Sequence, residues 1–295
     1  MKDSHLKLVD LSRRIEEGMS VYPGDPLFGA ETVASHNWDG YHVSQWSIGS
    51  HLGTHIDVPF HYFSDGETAD QIPLDYFYGP ASVIDLRPAL LEQYQKTNRI
   101  PAQIEPKMLY PFESQFEKAN KIILKTGWEA HIAASDYYFA FPALLPETAD
   151  WIADYPIHLL GLETPSLSSL PYLKNEESPE SESEEESDSN DFRQNIIPLY
   201  SDQSSENTLR SREEGREVPL DEITLHSDAE AHRILLGRRP PVLILEGLVN
   251  LDRLPSEFIL SCFPLSVVCA DGSPVRAVGL VQEDWADQII PLNSR

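Results

Sequence analysis

The chain has 295 residues and a mass of 33.3 kDa, with 48 acidic residues against 22 basic ones, a net charge of −26 and a pI near 4.6. That length can bury a substantial core in one large domain or two small ones, and the charge excludes a nucleic-acid binder or a surface that docks on anionic lipid, both of which need clustered Lys and Arg. About a third of the net charge lies between Asn175 and Phe192, where nine Asp or Glu residues stand with no Lys or Arg.

The first eighteen residues, Met1 to Gly18, lack the apolar core of a secretory leader, and no stretch reaches the ~18 apolar residues of a membrane-spanning helix, so a cytoplasmic protein is expected. Apolar, β-rich runs bounded by Gly, Pro or Asp predict strands at 82–86, 121–125, 157–161 and 242–245. Two more are predicted within 258–268 and 275–281, separated by a turn at Cys269–Pro274. Helices are predicted at 89–97, 112–119 and 228–236, the last capped by Ser227. The segment 174–217 is rich in Ser and Glu and poor in branched apolar residues, so it reads as a mobile, solvated insert. Without it the chain still carries −17, a broadly acidic surface. Cys262 and Cys269 lack CxxC spacing and are expected to pack as small hydrophobes. His158, in an apolar run, reads as a core histidine. The pattern is α/β, one domain over 1–295 interrupted by the acidic insert.

The segment His51-Leu-Gly-Thr-His55-Ile-Asp57-Val-Pro-Phe-His61 holds three of the ten histidines of the chain within eleven residues. His51, His55, Asp57 and His61 share one parity, so on an extended strand they share a face. On a helix, Asp57 would point away from His55, and Pro59 opposes continuation. His51 lies roughly 13 Å from His55 in a fully extended chain, too far to share an ion with bonds of about 2 Å. The chain must therefore curl, and Gly53 is where it does so at least cost. Neutral imidazoles and a carboxylate suit Zn²⁺ or Mn²⁺, and three protein ligands leave room for water. The sequence has no GxSxG elbow, GxGxxG loop or P-loop, so a metal-activated water is the better nucleophile candidate.

The string HLGTHIDVPFH resembles the HxGTHxDxPxH signature of the cyclase-like metal hydrolases, a family that includes kynurenine formamidases and isatin hydrolases. Further similarities are Val21-Tyr-Pro-Gly-Asp25, Asp65-Gly66, Ile72-Pro-Leu-Asp75, Ile123–Trp128, Gly161–Ser166, Ile244–Leu248 and Gly272–Ala277. They span nearly everything but the acidic insert. The resemblance implies a mixed β-sheet, barrel-like core flanked by helices, of the swivelling β/β/α type. It also implies one metal on His51, His55 and Asp57, and a second bridged by Asp57 and held by Glu246 and a later His. His232 is the best match to that His, fourteen residues before Glu246, with His226 as the fallback. His61 matches the catalytic acid/base, and Tyr22 matches an aromatic position lining the substrate pocket. Where the family has Asp before Thr-Pro-Ser, this chain has Glu163, whose extra methylene is expected to alter the pocket or the loop.

The implied activity is hydrolysis of an amide C–N bond, with N-formyl-L-kynurenine the leading substrate. A cyclic amide or lactone such as isatin is the alternative, discriminated by Tyr22, Trp46 and the Glu163 loop. A non-catalytic metal-binding or interaction protein is the alternative of another class. Zn²⁺ is the favoured ion, Mn²⁺ the second. The resemblance also implies a small-molecule substrate and a homo-oligomer.

Overall fold

The most apolar runs of the sequence occupy the middle of the fold. The computed structural model describes residues 6–97, 102–168 and 229–282, so the acidic insert expected at 174–217, the fallback ligand His226 and the cap Ser227 lie outside the described residues. In chain order the strands are β1 Leu6–Asp10, β2 Gly29–Ala34, β3 Val43–Ser47, β4 His55–Asp57, β5 Tyr78–Asp85, β6 Gln103–Ile104 and β7 Lys121–Lys125. They continue with β8 Ala143–Leu144, β9 Leu159–Leu162, β10 Leu243–Glu246, β11 Glu257–Ser261, β12 Gly272–Pro274 and β13 Val278–Gln282. Nine of them form one curled half-barrel sheet, in the order β1-β13-β11-β5-β7-β9-β10-β4-β12. The central pairs β5/β7, β7/β9 and β9/β10 are parallel and the flanking ones antiparallel. Strands β2 and β3 form a separate hairpin.

Parallel strands covered on both faces read as continuous apolar runs rather than alternating ones, and β7, β9 and β10 are buried along their whole length. Successive side chains still point to opposite faces. Ile123, Leu159, Leu243, Leu245 and Ile56 enter one core with Val9 and Phe258. Ile122, Leu124, Leu160, Leu162 and Ile244 enter the other, beneath the helices Pro146–Ala153 and Glu230–Gly237. The second helix presents Ala231, His232, Leu235 and Leu236 inward, the i, i+3, i+4 stripe of a core-facing helix. Among the described residues no helix is long and apolar enough to cross a membrane.

The predicted strand at 121–125 matches β7, and those at 82–86, 157–161 and 242–245 overlap β5, β9 and β10. Several expectations are corrected. The run 258–268 is strand only to Ser261 within β11. The predicted turn Cys269–Pro274 ends in strand β12, which pairs with β4 at the sheet edge, where a proline is tolerated. Cys262 is buried, but Cys269 is exposed with φ +61° and so does not pack as a hydrophobe. His158 precedes β9 and is half-buried, its ring stacked on Tyr76 at 4.5 Å.

Candidate active site

Strand β4 supplies the base of the site. It pairs antiparallel with β10, so Glu246 lies opposite His55 and Ile244 opposite Asp57. Facing residues of an antiparallel pair share a face of the sheet, so His55, Asp57 and Glu246 point to the side on which the helix Glu230–Gly237 carries His232. Before β4 the chain curls at Gly53, in the left-handed region at φ +68°. The curl brings His51 back over the sheet, with Nδ1 2.8 Å from Asp57 Oδ1. Gly272, on β12 opposite Asp57, leaves the space that the His51 ring fills, since a Cβ there would meet His51 Cε1 at 2.7 Å. After β4, Pro59 opens a short 3-10 turn, Pro59–His61, that lifts His61 off the sheet.

Both carboxylates lie between imidazoles. Asp57 Oδ1 is 3.4 Å from His55 Nε2, and Asp57 Oδ2 is 4.0 Å from His232 Nε2. Glu246 spans the other side, with Oε2 3.3 Å from His55 Nε2 and Oε1 3.3 Å from His232 Nε2. The Leu167 N–H donates to Glu246 Oε1 at 2.9 Å and fixes its orientation. The side chains of His55, Asp57, His232 and Glu246 are 2–4% exposed, whereas those of His51, His61 and Asp271 are 17, 28 and 38% exposed. The site is therefore sealed at its base and open past His61.

Electrostatics within the cradle favour positive charge. Burial alone would lower the His51 pKa, but the Asp57 charge and the hydrogen bonds to Asp271 and Asp57 raise it to about 10. His55 is likewise raised against its burial, by Glu246 and Asp57. For Asp57, burial raises the pKa, and the His51 charge and hydrogen bond overcome it to hold the carboxyl well below the usual range. Burial lowers His61 and outweighs the Asp57 charge. Two donor sets share Asp57: His51, His55 and Asp57, and Asp57, His232 and Glu246, each with ligand atoms within 4.8 Å of one another. These residues fit a divalent cation. With His55 Nδ1–H donating to the Gly53 carbonyl at 3.2 Å, Nε2 turns its lone pair to two carboxylates, an arrangement that a cation between them resolves.

The structure thus brings together His51, His55, Asp57, His61, His232 and Glu246. Tyr22 packs against the aromatic cluster of Trp128, Tyr137, Tyr138 and Phe141, edge-on to Tyr138 at 5.9 Å. Trp46 is elsewhere, 68% exposed on the hairpin. Glu163 serves the loop and not the metal cradle: its Oε2 accepts the Thr126 and Gly127 N–H groups, each at 2.5 Å. Sequence reasoning missed two residues. Asp271 Oδ2 lies 2.9 Å from His51 Nε2 and 3.5 Å from His61 Nδ1. Tyr62 stands between His61 and His232, at ring distances of 4.6 and 5.1 Å. An acid inside a Gly-Ser-Pro turn signal and a tyrosine next to His61 were the only cues.

The Cyclase family model matches residues 9–169, more than half of the chain. The chain belongs to the Cyclase family. A kynurenine formamidase of Salinibacter ruber is 25% identical over 276 residues, 92% of this chain and 97% of the relative. That of Geobacillus thermodenitrificans is 27% identical over 273 residues, 91% of this chain and 95% of the relative. Isatin hydrolase A from Labrenzia aggregata, solved bound to benzyl benzoate, shares the fold with a TM-score of 0.66 at 21% identity, over 94% of both chains. As a Cyclase family member this chain is a metal-dependent hydrolase, and the donor sets around Asp57 are ones that could hold a divalent ion.

Proposed function

We propose that the chain hydrolyses the C–N bond of an aryl formamide, N-formyl-L-kynurenine, to L-kynurenine and formate. The observation that carries this reading is Asp57, shared between two imidazole–carboxylate sets, with His61 outside both at the open side of the site. The formamidase relatives, alike over nearly the whole chain, support the substrate. Imidazole and carboxylate donors suit Zn²⁺ first and Mn²⁺ second. Held by His51, His55 and Asp57, and by Asp57, His232 and Glu246, such an ion supplies Lewis-acid activation of water and of the formyl carbonyl.

His61 does the proton work. Its lowered pKa leaves a neutral ring at pH 7, able to accept a proton from the attacking water. With Nδ1–H held toward Asp271, Nε2 is the atom that takes the proton as the water oxygen bonds to the formyl carbon. His61 then returns it to the anilide nitrogen as the C–N bond breaks, and the formic acid released ionises in water.

Elemental analysis of the purified protein, with parallel turnover of N-formyl-L-kynurenine and isatin, tests the reading. Bound divalent metal and release of formate are expected, with isatin the poorer substrate. Metal-loaded protein that leaves N-formyl-L-kynurenine intact would overturn it. His61→Ala is expected to keep the metal and to lose about 10²–10⁴-fold in kcat; full activity in that variant removes the role given to His61.

A further inference from the structure

A cation anchored to Thr54, the residue before His55, is not used by the mechanism. Arg13 is half-buried, and no carboxylate pairs with it among the described residues, whereas Arg87 pairs with Asp85 and Asp252 and Arg276 with Asp10. The Arg13 amide donates to Thr54 Oγ1 at 2.8 Å, which fixes its backbone next to His55. Its guanidinium carbon lies 4.8 Å from the Tyr137 ring centroid, and Nη1 donates to Tyr138 Oη at 3.4 Å. Tyr138 Oη in turn donates to the Ser20 carbonyl, and Tyr22 packs edge-on against the same ring. Tyr137 is 1% exposed and its Oη has no hydrogen-bond partner of normal geometry among the described residues. Its phenol feels the charge of Arg13 and, more weakly, that of Glu246. A guanidinium offers five donors in a planar fork that matches a carboxylate, and among the described residues no acid takes up the fork of Arg13.

We infer that Arg13, held by Tyr137 and Tyr138, forms a carboxylate-binding subsite that makes the enzyme select aromatic amides carrying a carboxylate over those that lack one. This rests on the proposal that the site hydrolyses aryl amides. The buried tyrosines hold the guanidinium in place, and the guanidinium, which is only half-buried, takes a carboxylate carried on the substrate's side chain, away from the scissile bond.

The test compares N-formyl-L-kynurenine with N-formylkynuramine, the same formamide without the carboxylate. In Arg13→Gln, KM for the first is expected to rise about 10–100-fold, the range for a lost charged hydrogen bond, with kcat little changed. The constants for the second should stay within about threefold, and Arg13→Lys should recover part of the loss. Equal losses on both substrates would show a structural role and overturn the inference, as would no loss on either. Calorimetric binding of L-kynurenine and kynuramine to the metal-loaded protein separates the two proposals. If neither formyl compound is hydrolysed, the amide reading fails, while tighter binding of L-kynurenine that Arg13→Gln abolishes still supports the subsite. Equal binding, or binding of neither, overturns it.

Discussion

Asp57 holds its charge where water barely reaches, which is tolerable only because His51 and His55 stand against it. Gly272 is part of that arrangement. In Gly272→Ala the new Cβ would meet His51 Cε1 and the Ile56 carbonyl oxygen, both at 2.7 Å. The Ile56 oxygen belongs to the β4 backbone and cannot yield, so the imidazole must. Overpacking of this kind costs about 1–3 kcal/mol, and the cost should fall on metal binding because the displaced ring belongs to the donor set. Competition with a chromophoric chelator should show a dissociation constant raised about 5–100-fold, and an unchanged constant would refute the assignment of His51. Asp271 acts on the same ring from outside. Asp271→Asn removes the charge beside His51 Nε2 and His61 Nδ1 but keeps an acceptor in place. Partners of this kind typically matter about 10–100-fold in affinity or activity. The variant should lose metal affinity or kcat in that range while Asp271→Ala loses more; equal behaviour of the two would mean that hydrogen bonding to Asp271 is immaterial.

At the scale of elements, Glu163 joins β9 to the loop after β7, accepting both the Thr126 and Gly127 N–H groups. Burial, partly offset by those donors, raises its pKa to about 7 from an ordinary 4.5. A carboxyl raised in the fold binds a proton that the unfolded chain has already released. Its contribution is therefore fully present below about pH 4.5, lost as pH rises to about 7, and flat beyond. Glu163→Gln keeps the acceptor and loses the titration, so its unfolding free energy should fall less between pH 5 and pH 7.5 than that of the unaltered chain. The difference should reach about 1–3 kcal/mol, and parallel pH profiles in urea titrations would exclude the effect. The elements also explain what the sequence revealed. The segment 51–61 was legible because its donors are local, and parity with one glycine set their geometry. The apolar runs β7, β9 and β10 announced themselves because they are buried on both faces. Asp271 was not legible, because it reaches His51 through the β12–β4 pairing, across 220 positions of chain. The hairpin β2/β3 hid for another reason: β3 is exposed on both faces and so shows no alternation of burial to read.

Across the whole molecule, the cradle ties together stretches far apart in sequence. His51, His55 and Asp57 come from the first third of the chain, while His232, Glu246 and Asp271 come from the last, and they meet because β4 is inserted between β10 and β12. A cation that binds only this assembled arrangement stabilises the fold by mass action, by about 4 kcal/mol when it is present at a thousandfold over its dissociation constant. For a domain of this size each kcal/mol moves Tm by roughly 2–4 °C. Removing the metal with a chelator should therefore lower Tm by about 10 °C, and excess Zn²⁺ should restore it. The 17 net negative charges outside the insert also attract divalent ions, by a diffuse field and without a specific site. Non-specific screening and site binding are separable, because His232→Ala leaves the surface charge intact and removes one donor. In that variant the chelator should shift Tm far less than in the unaltered chain. Equal shifts in the two proteins would mean that the ion stabilises the fold from somewhere other than the cradle.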